Sequence, residues 1–69
     1  MSNERSYTHR EFREVLVRLY GPGSDWELAR VAAPDFNVKR LTVYRWLTGQ
    51  RPVIGTAAAV TYLLSTRPK

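Results

Sequence analysis

The chain of 69 residues holds one small domain; at this length only about 60% of the extended surface can be buried, so association with a second copy is a natural source of stability. Eleven Lys and Arg against six Asp and Glu give a net charge of +5, and cysteine is absent, which excludes disulfides, thiolate metal sites and cysteine nucleophiles. The longest nearly apolar run, Ala57 to Leu64, is interrupted by Thr61 and Tyr62 and falls far short of the roughly 20 residues that span a bilayer. The N-terminus, MSNERSYTHR, is polar throughout and lacks the apolar stretch of a secretory signal. The expectation is a cytoplasmic protein with no membrane partner. Charge is distributed unevenly. All six acids (Glu4, Glu11, Glu14, Asp25, Glu27, Asp35) lie in the first 35 residues beside five arginines, while residues 36–69 carry six cations and no acid. One strongly positive region on a small body is the footprint of a nucleic-acid binder; a basic surface that serves only solubility is the plainer reading.

Residues 1–6 are polar and read as a disordered segment, and residues 67–69 as a basic tail, leaving 7–66 as the folded domain. Thr8 and Glu11 have the spacing of a capping box, and Tyr7 and Phe12 that of a hydrophobic staple. Phe12, Val15, Leu16 and Leu19 then repeat at helical spacing and define a buried face. Gly21 and Pro22 close this helix. Its Arg10, Arg13 and Arg18 interleave with Glu11 and Glu14 and read as a mixed surface. A second capping box, Ser24 and Glu27, opens a short helix to about Ala32, with Leu28 inward and either Val31 or Ala32 completing the stripe. Small Ala29 admits a close neighbour. Pro34 is expected to end this helix, because the residue before proline is pushed out of helical geometry. Phe36 is expected in the core, and Asn37 is a suitable N-cap for the next helix.

That third helix is predicted over about 38–48. Val43, Trp46 and Leu47 share one side of it, and Gly49 stops it. Lys39, Arg40, Thr42, Tyr44 and Arg45 fall on the other faces. A cationic helix of this kind suits the major groove of DNA, where Arg pairs bidentately with guanine. Gln50 to Val53 forms a loop in which Pro52 bars helix. A last helix follows from Gly55 or Thr56 to Ser65, with an expected stripe of Ala57, Val60, Leu63 and Leu64. Strand signals are poor throughout. The predicted fold class is all-α, with four helices joined by short turns.

Glu27-Leu28-Ala29, then TVYRWLTGQRPV over 42–53, then an Ala- and Leu-rich helix, together resemble the Cro/repressor-like helix-turn-helix family of small phage and bacterial regulators. The Trp-x-x-Gly-x-x-Pro ending is similar to that of small phage and proteobacterial regulators, anti-CRISPR-associated repressors among them. The resemblance covers residues 11–65 and implies a lambda-repressor-like domain. It implies that Arg40, Thr42 and Arg45 reach base edges. Tyr44, on the same helix, reads equally as a base-side contact, to a phosphate or thymine methyl, and as a plain solvated residue. The resemblance also implies that Ser24, through the start of its helix, and Thr48, Gln50 and Arg51, in the following loop, meet the sugar-phosphate backbone. One departure stands out: residues 33–37 make the Ala29-to-Val43 spacing about four residues longer than the family's three- or four-residue turn gives. Lys39 then competes with Arg40 for a base or phosphate.

The function so implied is a sequence-specific double-stranded DNA-binding repressor, acting as a homodimer on an inverted repeat, with its dimer surface on the first or the last helix. The alternative is a small interaction module, a phage inhibitor or antitoxin, that binds an acidic protein. RNA binding is a third reading, but only Tyr44 looks like an exposed aromatic among cations. Trp46 reads first as a core anchor and second as a stacking platform; Trp26 either covers the core edge or joins the dimer surface. His9, the only histidine, has no catalytic or metal-ligating companions, so no enzyme activity, cofactor, metal or small-molecule ligand is expected.

Overall fold

Residues 6–66 are described in a computed structural model, which runs β1 (Ser6–Tyr7), α1 (His9–Tyr20), α2 (Asp25–Phe36), α3 (Arg40–Thr48), β2 (Val53–Ile54) and α4 (Gly55–Ser65). Helix accounts for 72% of these residues, so the chain is essentially α with one short strand pair. The segments 1–5 and 67–69, read above as a disordered start and a basic tail, lie outside the described residues.

Helix α1 starts as its sequence predicts. Thr8 Oγ1 accepts the Glu11 N–H at 3.1 Å and the Glu11 carboxylate accepts the Thr8 N–H at 2.9 Å, which satisfies two donors that a helix start leaves open. Gly21 closes the helix at φ +93°, giving its N–H to Val17 O at 2.8 Å. Phe12, Val15 and Leu16 are buried on the inner face. Helix α2 opens on Ser24, whose Oγ accepts the Glu27 N–H at 3.2 Å. The reciprocal half of the expected second capping box is absent; the Glu27 carboxylate accepts from Arg30 Nη2 at 3.4 Å instead.

The end of α2 differs from the prediction. The helix continues through Pro34 to Phe36 and stops at Asn37, which takes the left-handed conformation at φ +55°. Asn37 is therefore the C-cap of α2 and not the N-cap of α3; Lys39 holds that place, without a side-chain bond. Proline removes one backbone donor, but in the last turn the loss is limited, and the Asn37 and Val38 N–H groups reach back to Pro34 O and Ala33 O, both at 3.2 Å. What the extra turn gains is Phe36, which it drives into the core. Consequently α3 begins at Arg40, and the connection between α2 and α3 is only residues 37–39. The surplus spacing seen in the sequence is helix, not a long turn.

Three aromatic rings hold the first three helices together. Phe12 of α1 meets Phe36 of α2 edge-on at 5.7 Å and Trp46 of α3 edge-on at 5.8 Å, and Phe36 and Trp46 lie 5.5 Å apart. Edge-to-face pairs add about 0.5–1.5 kcal/mol each beyond the apolar area they bury. Around them pack Leu16, Leu28, Val43 and Leu47, with Ala29 and Ala32 letting α3 approach α2 closely. Ala32, not Val31, completes the α2 stripe; Val31 is exposed.

β1 pairs antiparallel with β2 in the register Ser6↔Ile54 and Tyr7↔Val53. Ser6 is thus part of the fold and not of a disordered leader, and Val53 is a buried strand residue and not loop. Two-residue strands are too short to show alternation in sequence, which is why they were not predicted. Helix α4 spans the expected residues but is rotated about its axis. Ala58, Thr61 and Leu64 are buried, Ala57 and Val60 are half-buried, and Leu63, expected inside, is 63% exposed. Thr61 tolerates burial because its hydroxyl donates to Ala57 O at 2.7 Å within the same helix, the back-bond open to a helical threonine.

Candidate nucleic-acid interface

The basic side of α3 divides into two regions with different constraints. At its C-terminal end, Thr42, Arg45 and Trp46 stand at i, i+3 and i+4 and share a face. The chain beyond Gly49 folds back over that face, because the Gln50 and Arg51 N–H groups both donate to Arg45 O, at 2.9 and 3.2 Å. Gly49 makes the reversal possible at φ +84°, and a Cβ there would lie 3.2 Å from His9 Nδ1. The result is an open cleft of about 390 Å³ lined by Thr42, Arg45, Trp46, Arg51 and Pro52. Arg45 and Arg51 are in no ion pair among the described residues, and residues 36–69 supply no acid that could neutralise them. Two unneutralised guanidinium groups beside a hydroxyl and an indole edge can bind phosphate oxygens, or the acceptor edge of a base, bidentately.

Around the cleft, Gln50 is exposed and Thr48 is half-buried, its hydroxyl turned back to Arg45 O at 3.3 Å. Thr48 therefore helps close the turn and does not line the cleft. Lys39 is exposed at the other end of the helix. Leu41, which the sequence reading did not single out, is an exposed apolar side chain on the same helix, at 47%.

Arg40 is placed quite differently from the role expected for it. Its guanidinium carbon lies 3.9 Å from the centroid of the Trp26 ring, and its Nε–H donates to Trp26 O at 3.0 Å. Tyr44, one turn further along α3, meets the same ring edge-on at 5.2 Å. Arg40 is thus tied to α2 of its own chain and is not extended from the helix, as a reader of base edges needs to be. Tyr44 is half-buried against Trp26, so its ring is not that of a plain solvated residue. Trp26 is the platform for this cluster and is itself 43% exposed.

Ser24 caps α2 and is exposed there. Asp25, beside it, forms a two-point bridge with Arg13: Nε–H to Oδ1 at 2.8 Å and Nη2 to Oδ2 at 2.9 Å. The same Nη2 donates to Leu47 O at 3.0 Å, one of the carbonyls that a helix end leaves without an internal partner. Arg13 therefore links α1 to the start of α2 and the end of α3, and is no ordinary surface charge. The signal that could have revealed it is its place beside Phe12, at the edge of the buried face of α1. Among the described residues no group of three His, Cys, Asp or Glu could hold a metal ion, and no helix is long and apolar enough to cross a membrane. Comparison of the chain with protein-family models, with curated proteins and with solved structures finds no match.

Proposed function

We propose that the protein is a sequence-specific double-stranded DNA-binding transcriptional repressor of the helix-turn-helix, lambda-repressor-like kind, with α2 and α3 as the motif and α3 as the recognition helix. The observation that carries this reading is the cleft of Thr42, Arg45 and Arg51, whose two cations have no acidic partner among the described residues. The three-residue connection between α2 and α3 supports it, since such a turn is what the motif uses. Arg45 is the base reader, aided by Thr42, with Lys39 at the opposite end of the helix. Arg51, Gln50 and Thr48 hold the sugar-phosphate backbone, and Ser24 lies at the second backbone contact. A homodimer would set two copies of α3 about 34 Å apart on an inverted repeat.

Selection of bound duplexes from a random pool tests the proposal: a recovered motif with two-fold symmetry is expected. On the selected duplex Arg45→Ala should lose about 1–3 kcal/mol of binding and relax preference at one base pair. Arg51→Ala should weaken selected and random duplexes alike and reduce the salt slope by about 0.9. No enrichment of any duplex would discard this function and favour an acidic protein partner for the same cations.

A further inference from the structure

Resting on the DNA-binding reading, we infer that Trp26 is a positioning residue that holds Arg40 as a preset phosphate clasp at the meeting of α2 and α3. Trp26 is 43% exposed, so its ring is not accounted for by core burial alone. What occupies the ring is the Arg40 guanidinium on its face and the Tyr44 ring at its edge. Arg40 and Tyr44 are four residues apart on α3, so one face of that helix delivers both to the same platform.

Stacking and the Nε bond to Trp26 O consume one face and one donor of the guanidinium. The in-plane Nη donors remain, and a planar fork held in this way is pre-organised for an oxyanion. No carboxylate of the described residues claims them. The two acids in the first turn of α2 are engaged elsewhere, Asp25 by Arg13 and Glu27 by Arg30. The Arg40 charge is therefore fixed in place and unneutralised, the condition in which a phosphate group is the fitting partner. Because the side chain is folded against α2, it meets the strand backbone and leaves base edges to Arg45.

The test compares Arg40→Ala, Trp26→Leu and Trp26→Phe with the wild type, measuring binding to selected and random duplexes between 50 and 200 mM salt, a range over which phosphate contacts dominate the change. Arg40→Ala should lower the magnitude of the salt slope by about 0.9 on both duplexes, with base preference intact. Trp26→Leu should lose the same increment, while Trp26→Phe, which keeps a ring under the cation, should retain it. In the free protein, the Arg40 Nε–H proton should exchange faster with water in Trp26→Leu than in the wild type or Trp26→Phe, because the main-chain acceptor at residue 26 remains but the ring that seats the guanidinium over it is gone. Unchanged slope and exchange in Trp26→Leu would overturn the positioning role. Loss of base preference in Arg40→Ala without a change of slope would overturn the clasp, and Arg40→Ala decides that point even if Trp26→Leu does not fold. A wild type that binds no duplex refutes the DNA reading itself, a result distinguishable from these because it involves no variant.

Discussion

The two ends of α3 carry the same kind of residue and treat it in opposite ways. At the start, Arg40 is laid on Trp26 and bonded to α2; five residues later, Arg45 stands in an open cleft beside Arg51 with no acidic partner among the described residues. The contrast follows from what each end packs against. The start of α3 passes beside an exposed indole, which offers a guanidinium both a face and a carbonyl. On its cationic side the end of α3 meets its own continuation, which brings a second cation. Residue type alone does not tell a positioned cation from an available one; the neighbouring element does.

Both ends depend on the aromatic triad, so the substitution with the largest expected effect removes it. Phe12→Ala should cost about 3–5 kcal/mol, read as a lowered denaturant midpoint, and should abolish duplex binding at both ends of α3 together. Gly49→Ala acts on the cleft end alone. It forces an alanine to φ +84° against His9, so the stability should fall by about 1 kcal/mol or more in thermal melts. Arg45-dependent discrimination should fall with it, while the exchange of the Arg40 Nε–H proton stays as in the wild type. Asp25→Asn removes the ionic partner of Arg13. With these side chains 28% and 37% exposed, the expected loss is only about 1 kcal/mol, and the slope contributed by Arg40 should be unaffected. Leu63→Ser lies on α4, away from both ends; stability in dilute solution should move by less than about 0.5 kcal/mol. A loss that grows with protein concentration would instead place a self-association surface on α4.

The capped starts of α1 and α2, the buried stripe of Phe12, Val15 and Leu16, and the stop at Gly49 were all legible, because each depends on residues within one or two helical turns of one another. Of the cleft residues, Thr42 and Arg45 were legible on the cationic faces of α3 and Arg51 as a cation in the following loop, whereas Trp46 was assigned to the opposite, inner side and only the structure brings it to the cleft. Pro34 misled, since a local rule against proline in helices yielded to the burial of Phe36 two residues later. The orientation of α4 misled as well. Its apolar residues surround the helix, so periodicity leaves its inner side undetermined, and the Leu63 stripe was as good on paper as the observed one.

The amino-acid order, then, determined the helical class, the number of helices among the described residues, the separation of acids from cations and the cationic faces of α3. Tertiary packing decided the rest. The pairing of β1 with β2 joins residues far apart in the chain, and packing put Ala58, Thr61 and Leu64 on the inner side of α4. The Arg13 bridge to Asp25 and Leu47 O, and the seat of Arg40 on Trp26, join residues separated by 12, 34 and 14 positions. Such contacts leave no periodic trace, because they depend on where whole helices come to rest once their apolar faces are buried.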